Sequence, residues 1–121
     1  MKIKKGILSV NVSNLDSALR FYSKLLGFRV ISKYGTEFGE VQGYGLTIGL
    51  RHSSKSQSAA PQEPSIVLEV EDIDSAVSEL KSMGVVFLGN VIEEGRARVA
   101  SFQDTDANLL HLSQTKKGIW S

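Results

Sequence analysis

Residues 7–28, ILSVNVSNLDSALRFYSKLLGF, and residues 65–85, SIVLEVEDIDSAVSELKSMGV, are two versions of one passage. Val12 falls on Val70, Leu15 on Ile73, and Asp16-Ser17-Ala18 on Asp74-Ser75-Ala76. Leu19 then meets Val77, and Gly27 meets Gly84 after a one-residue slip. Self-similarity on this scale marks a repeated supersecondary unit. Each half is too short to bury a good core by itself, so the two copies are expected to pack on each other.

Both copies carry the same local chemistry. Residues 7–12 and 65–70 are apolar or alternating and rich in β-branched side chains, the pattern of a half-buried strand. Asn14 and Asp72 follow as N-caps, because their side-chain oxygens can accept from the free N–H groups of a first helical turn. Leu15, Leu19, Tyr22 and Leu26 then recur at helical spacing, as do Ile73, Val77 and Leu80. Gly27 and Gly84 close the helices, since glycine adopts the left-handed turn of a C-terminus without a steric cost. Three strands are expected after each helix: about 28–34, 38–42 and 46–51 in the first half, and 85–88, 91–93 with 96–102, and 109–114 in the second. The glycines at Gly43 and Gly45 mark a hairpin turn. Residues 52–64, HSSKSQSAAPQEP, are polar with two prolines and read as the linker.

The bulk composition removes several functions. The 121 residues fit one domain, made of two modules at about 5–52 and 64–114. A net charge of +1 calls for neither nucleic acid nor a membrane surface as partner, and the Lys4-Lys5 and Lys116-Lys117 pairs read as solvated ends. With no cysteine, disulfides, thiolate metal sites and cysteine nucleophiles are excluded. The start of the chain reads as a strand and not as a signal peptide, and no apolar run approaches the ~20 residues that span a bilayer. A cytoplasmic protein is the expectation.

A βαβββ module used twice, with NLDSALRFYSKLLGF at residues 14–28 and SFQDTDANLLHL at residues 101–112, resembles the glyoxalase/bleomycin-resistance/extradiol-dioxygenase superfamily, also called vicinal oxygen chelate proteins. Residues 14–28 are similar to that family's opening helix, with its Phe-Tyr pair and closing Leu-Gly-Phe. Residues 101–112 are similar to its last hairpin, usually D-P-x-G-N before an apolar strand, with Thr105 here for proline and Ala107 for glycine. The resemblance covers about residues 5–114 and implies an α+β fold of two βαβββ modules with cupped mixed sheets. It also implies a homodimer, whose modules either pair within a chain or swap between subunits.

Metal-using members of that family hold a divalent ion with four ligands, from the first and last strands of each module. Counted back from Val12 and Val70, two of those positions fall on Ile7 and Ser65. The last-strand positions fall on Gly49 and His111. Ile7 and Gly49 offer no side-chain donor and serine is a poor ligand for a catalytic ion, so no metal and no cofactor is expected.

Strand alternation adds the other side chains that share the inner face. From Ile7 and Ser65 these are Ser9, Asn11, Val67 and Glu69; from Gly49 and His111 they are Thr47, Arg51, Leu109 and Ser113. Apolar walls with a few converging polar groups suit a ligand pocket, and Asn11, Thr47, Arg51, Glu69 and His111 are the candidate binding residues. A Glu69–His111 couple is a conceivable proton-transfer pair, with His111 satisfied by Ser65 or a water as the bland alternative. Arg96 and Arg98 either hold an anion or form an exposed basic edge, and Tyr34 and Tyr44 are either pocket rims or strand packing.

Three functions fit these residues. The leading one is a metal-free small-molecule-binding protein, similar in layout to the family's antibiotic-sequestering members. The near-neutral charge suits an uncharged or anionic ligand better than cationic bleomycin. Another is a divergent glyoxalase-like lyase or isomerase, or a dioxygenase-like enzyme, with a non-standard site. The third is a protein whose cup is filled by its own side chains or by a partner.

Overall fold

Residues 1–2, 4–53 and 62–115 are described in a computed structural model of the chain. Most of the stretch read as linker, residues 54–61, and the Lys116-Lys117 pair lie outside the described residues. The chain divides into two compact units, residues 1–59 and 60–121. Each contains one four-stranded mixed sheet and one principal helix, an α+β architecture repeated.

In the first unit β1 (Leu8–Val12) leads into α1 (Leu15–Arg20), which widens into a π-helical turn at Phe21–Leu25. Three strands follow: β2 (Arg29–Tyr34), β3 (Phe38–Gly43) and β4 (Leu46–His52), in sheet order β1-β4-β3-β2. Only the β1–β4 pairing is parallel. The second unit repeats the plan with β5 (Gln62–Glu69), α2 (Ile73–Ser82), β6 (Ile92–Glu94), β7 (Ala97–Gln103) and β8 (Asn108–Thr115), ordered β5-β8-β7-β6 with β5–β8 parallel.

The caps are those read from the sequence. The Asn14 side chain accepts from Ser17 N–H at 2.9 Å and that of Asp72 from Ser75 N–H at 3.2 Å, each satisfying a donor that the first helical turn leaves free. Gly27 and Gly84 end the helices at φ 81° and 96°. Between β3 and β4, Tyr44 and Gly45 both have positive φ (55° and 78°), the two-residue turn whose twist matches the flanking strands. The Tyr44 hydroxyl donates to the Leu26 carbonyl and its ring stands edge-on to Phe28, so Tyr44 packs the turn against the helix end.

One face of each sheet is the core. α1 lies on β3 and β4, burying Val12, Ala18, Val41, Ile48 and Leu50 completely. α2 lies on β7 and β8 over Ile66, Ile73, Ala100, Phe102 and Leu110, none more than 2% exposed. Burial on this scale is the main favourable term in folding. Residues of opposite parity lie on the other face, which is free of the unit's own helix.

Two boundaries differ from the sequence reading. Residues 85–88 are not a strand and make only a single bridge, Phe87 to Phe102. Gly84 and Gly89 both turn with positive φ, so although Val85 is buried and Phe87 packs on Phe102, the segment between them is too short to pair as a strand. β5 begins at Gln62, inside the stretch read as linker, because Gln62 pairs with Asn108. The ladder is irregular between Gln62 and Ile66, where Pro64 has no N–H to contribute.

Candidate functional site

The helix-free face of the first sheet can be read row by row from the pairing. Ser9, Gly49, Glu40 and Ser32 form one row across β1, β4, β3 and β2. Asn11, Arg51, Phe38 and Tyr34 form the next. Directly paired side chains on one face stand close enough to act together. Asn11 and Arg51 are therefore brought together as neighbours. Thr47 lies four residues before Arg51 on β4, beyond Gly49, where its Oγ1 accepts from Gln42 Nε2 at 3.3 Å.

Two of the positions that the resemblance assigns to metal ligands meet in this sheet, and they close on each other. A β-carbon on Gly49 would stand 3.0 Å from Ile7 Cγ2 and 3.1 Å from two ring atoms of Phe38. Hydrocarbon fills the place where a ligand side chain would extend.

On the second sheet the corresponding rows are Val67, His111 and Ser101, then Glu69, Ser113 and Val99. His111 Nδ1 is hydrogen-bonded to Ser101 Oγ at 2.7 Å, so its partner is neither Ser65 nor Glu69. Glu69 Oε1 accepts from the backbone N–H and the hydroxyl of Thr115, at 2.8 and 2.7 Å. Glu69 and His111 thus share a face but not a hydrogen bond. The Glu69–His111 couple considered from parity is not formed.

Arg98 lies off this face. It makes a two-pronged bond to Asp74 on α2, at 2.9 and 3.0 Å, and that hydrogen bond holds the Asp74 carboxyl below the usual aspartate range. Arg98 fastens helix to sheet. Arg96 belongs to the turn between β6 and β7.

Sequence reasoning missed Glu40, the charged side chain most enclosed on the first sheet's helix-free face. It is 8% exposed, and its Oε1 accepts from Ser32 Oγ at 2.9 Å and from Lys5 Nζ at 3.4 Å. The signal was available: a two-residue turn at Tyr44-Gly45 fixes the β3–β4 register and sets Glu40 opposite Gly49.

The chain matches the family model of the Glyoxalase/Bleomycin resistance protein/Dioxygenase superfamily over residues 6–112. It belongs to that superfamily. Among curated proteins it is 27% identical to the uncharacterized protein YurT of Bacillus subtilis (strain 168), over 93% of this chain and 99% of that one. Among solved structures it is similar to a glyoxalase/bleomycin resistance protein/dioxygenase from Nocardioides (TM-score 0.79, 16% identity, 97% of this chain and 88% of that one). It is also similar to TnmS3, an antibiotic binding protein from Streptomyces sp. CB03234 (TM-score 0.76, 24% identity, 96% and 99%). At these identities the structural likeness establishes the fold.

The residues at the positions that the resemblance assigns to metal ligands do not fit a divalent ion. Ile7 supplies hydrocarbon, Gly49 nothing, Ser65 a hydroxyl and His111 one imidazole, whereas such an ion needs three or four nitrogen or oxygen donors. Among the described residues no three His, Asp or Glu side chains gather elsewhere to replace them.

Proposed function

We propose that this chain is a small-molecule-binding protein of the superfamily that works without a metal ion at the inherited position and takes an uncharged or anionic ligand. The observation that carries this is the closure of Ile7 over Gly49, which removes two ligands of four and replaces them with apolar surface. The helix-free faces keep the mixed character of a binding site, with Asn11, Thr47 and Arg51 on one sheet and Glu69 and His111 on the other. The likeness to a protein described as antibiotic binding points the same way. A homodimer in the cytoplasm completes the reading. In support, the exposed side chains of Ile7, Val67 and Ile92 lie on helix-free faces, and no helix among the described residues is long and apolar enough to cross a membrane.

The test is native mass spectrometry of the purified protein for a co-purified small molecule, followed by titration of that molecule into variants. His111→Ala and Asn11→Ala are each expected to weaken it about tenfold to a hundredfold, as loss of a buried hydrogen-bond partner does. Lys24→Ala, on the helix side, is expected to leave affinity unchanged. Binding that ignores both site variants and responds to Lys24 would overturn the reading.

A further inference from the structure

Among the described residues three carboxylates are enclosed, Glu40, Asp104 and Asp106, and the bonding of the first two differs. Asp104 is 7% exposed and uses both oxygens inside its own turn. Oδ1 accepts from Asp106 N–H and Asn108 N–H, at 2.8 and 2.9 Å, and Oδ2 from Asn108 Nδ2 at 2.8 Å. That is how a carboxylate holds a fold together. Glu40, at 8% exposed, takes its two bonds on Oε1 alone, and among the described residues Oε2 accepts none. No fully enclosed side-chain oxygen or nitrogen among those residues lacks a partner, so Oε2 is reachable from solvent. Its neighbour on β4 is Gly49, over which Ile7 and the Phe38 ring lie. In the next row Phe38 and Tyr34 lie stacked, ring centroids 6.1 Å apart, with Tyr34 64% exposed. A carboxylate oxygen that can only accept thus stands one row from an exposed aromatic platform.

We infer that Glu40 Oε2 anchors the ligand of this protein by accepting a hydrogen bond from a hydroxyl on an aromatic ring that packs against Phe38 and Tyr34, so that the ligand class is phenolic. This rests on the small-molecule reading above. Burial around Glu40 makes the bond selective, because a ring carrying no donor would strip water from the carboxylate and return nothing. A bond to an ionised acceptor is also stronger than a neutral one. Lys5, half exposed, bonds Oε1 only and makes no bond to Oε2.

The experiment is a ¹H–¹⁵N NMR titration of the full chain with 4-fluorophenol and with its methyl ether, 4-fluoroanisole, followed in parallel by ¹⁹F shifts. The phenol is expected to move the amides of Ser32 and of residues 39–41, and the ether to bind at least about tenfold more weakly. Glu40→Gln, nearly isosteric, is expected to weaken the phenol by about tenfold or more, while Lys5→Ala keeps its affinity within about twofold. If Glu40 served only to tie down Lys5, the two variants would act alike, and that result overturns the inference. Equal binding of phenol and ether by the wild type overturns it as well, without any variant having to fold. Shifts confined to residues 67–69 and 111–113 would remove Glu40 as the anchor and leave small-molecule binding standing. No shift from either probe would count against both.

Discussion

Ile7 Cγ2 stands 3.0 Å from the point where a β-carbon on Gly49 would be. The resemblance assigns both to ligand positions, Ile7 just before β1 and Gly49 in β4, and each explains the other. A branched hydrocarbon can lie over β4 because nothing projects from Gly49. Gly49 must stay small because Ile7 and Phe38 already fill the space. Alanine in place of a strand glycine ordinarily helps, by roughly 0.5–1 kcal/mol. Here Gly49→Ala is expected to destabilise by about 1–3 kcal/mol through overpacking, measured by urea unfolding, and Ile7→Ala in the same chain to restore part of the loss. A neutral or stabilising Gly49→Ala would mean that the contact is loose.

Ala107 holds a left-handed backbone, φ 66°, in the turn before β8. Asp104 imposes it by accepting the backbone N–H groups of Asp106 and Asn108. A side chain in that conformation costs roughly 1–2 kcal/mol. Ala107→Gly is therefore expected to raise stability by about 1 kcal/mol, less what glycine loses in unfolded-state entropy. A fall in the urea midpoint would contradict this.

The Asp74–Arg98 pair gives a pH dependence of known sign. Asp74 has its folded-state pKa lowered, by the Arg98 hydrogen bond first and against a smaller desolvation effect. Its contribution is therefore present above the unfolded value and is lost as pH falls through the lower folded value. In Arg98→Ala, a carbon-detected NMR titration is expected to show Asp74 moving back up toward the ordinary range. The acid limb of stability should flatten only slightly, because the pair is exposed. An unchanged Asp74 titration would show that the bond does not persist in solution.

Val67 and Ile92 are more than half exposed on the second sheet's helix-free face, and Ile7 is 42% exposed on the first. Apolar side chains placed this way are costly in an isolated chain. Light scattering at micromolar concentration is expected to return twice the chain mass, and the single-chain mass would remove the homodimer from the account.

How much of this could be read from residues depended on the kind of signal. The repeat, both N-caps, both helix-closing glycines and the hairpin at Gly43 and Gly45 were legible, because each rests on local backbone chemistry. Residues 85–88 misled, since a short apolar run says nothing about the two positive-φ glycines that pinch it. Parity gave the faces of β1, β4, β5 and β8, but hydrogen-bond partners are set by lateral pairing. For that reason His111 found Ser101 and Glu69 found Thr115 instead of each other. Glu40 was overlooked because β3 carried no inherited ligand position from which to count.

Metal content decides the central claim most directly. The chain would be expressed with zinc, nickel, manganese and iron supplied, purified without chelators, and analysed for metals per chain. Closure of Ile7 over Gly49 predicts far less than one equivalent of any of them, unchanged in His111→Ala. One bound equivalent of any of the four, lost in His111→Ala, would contradict it.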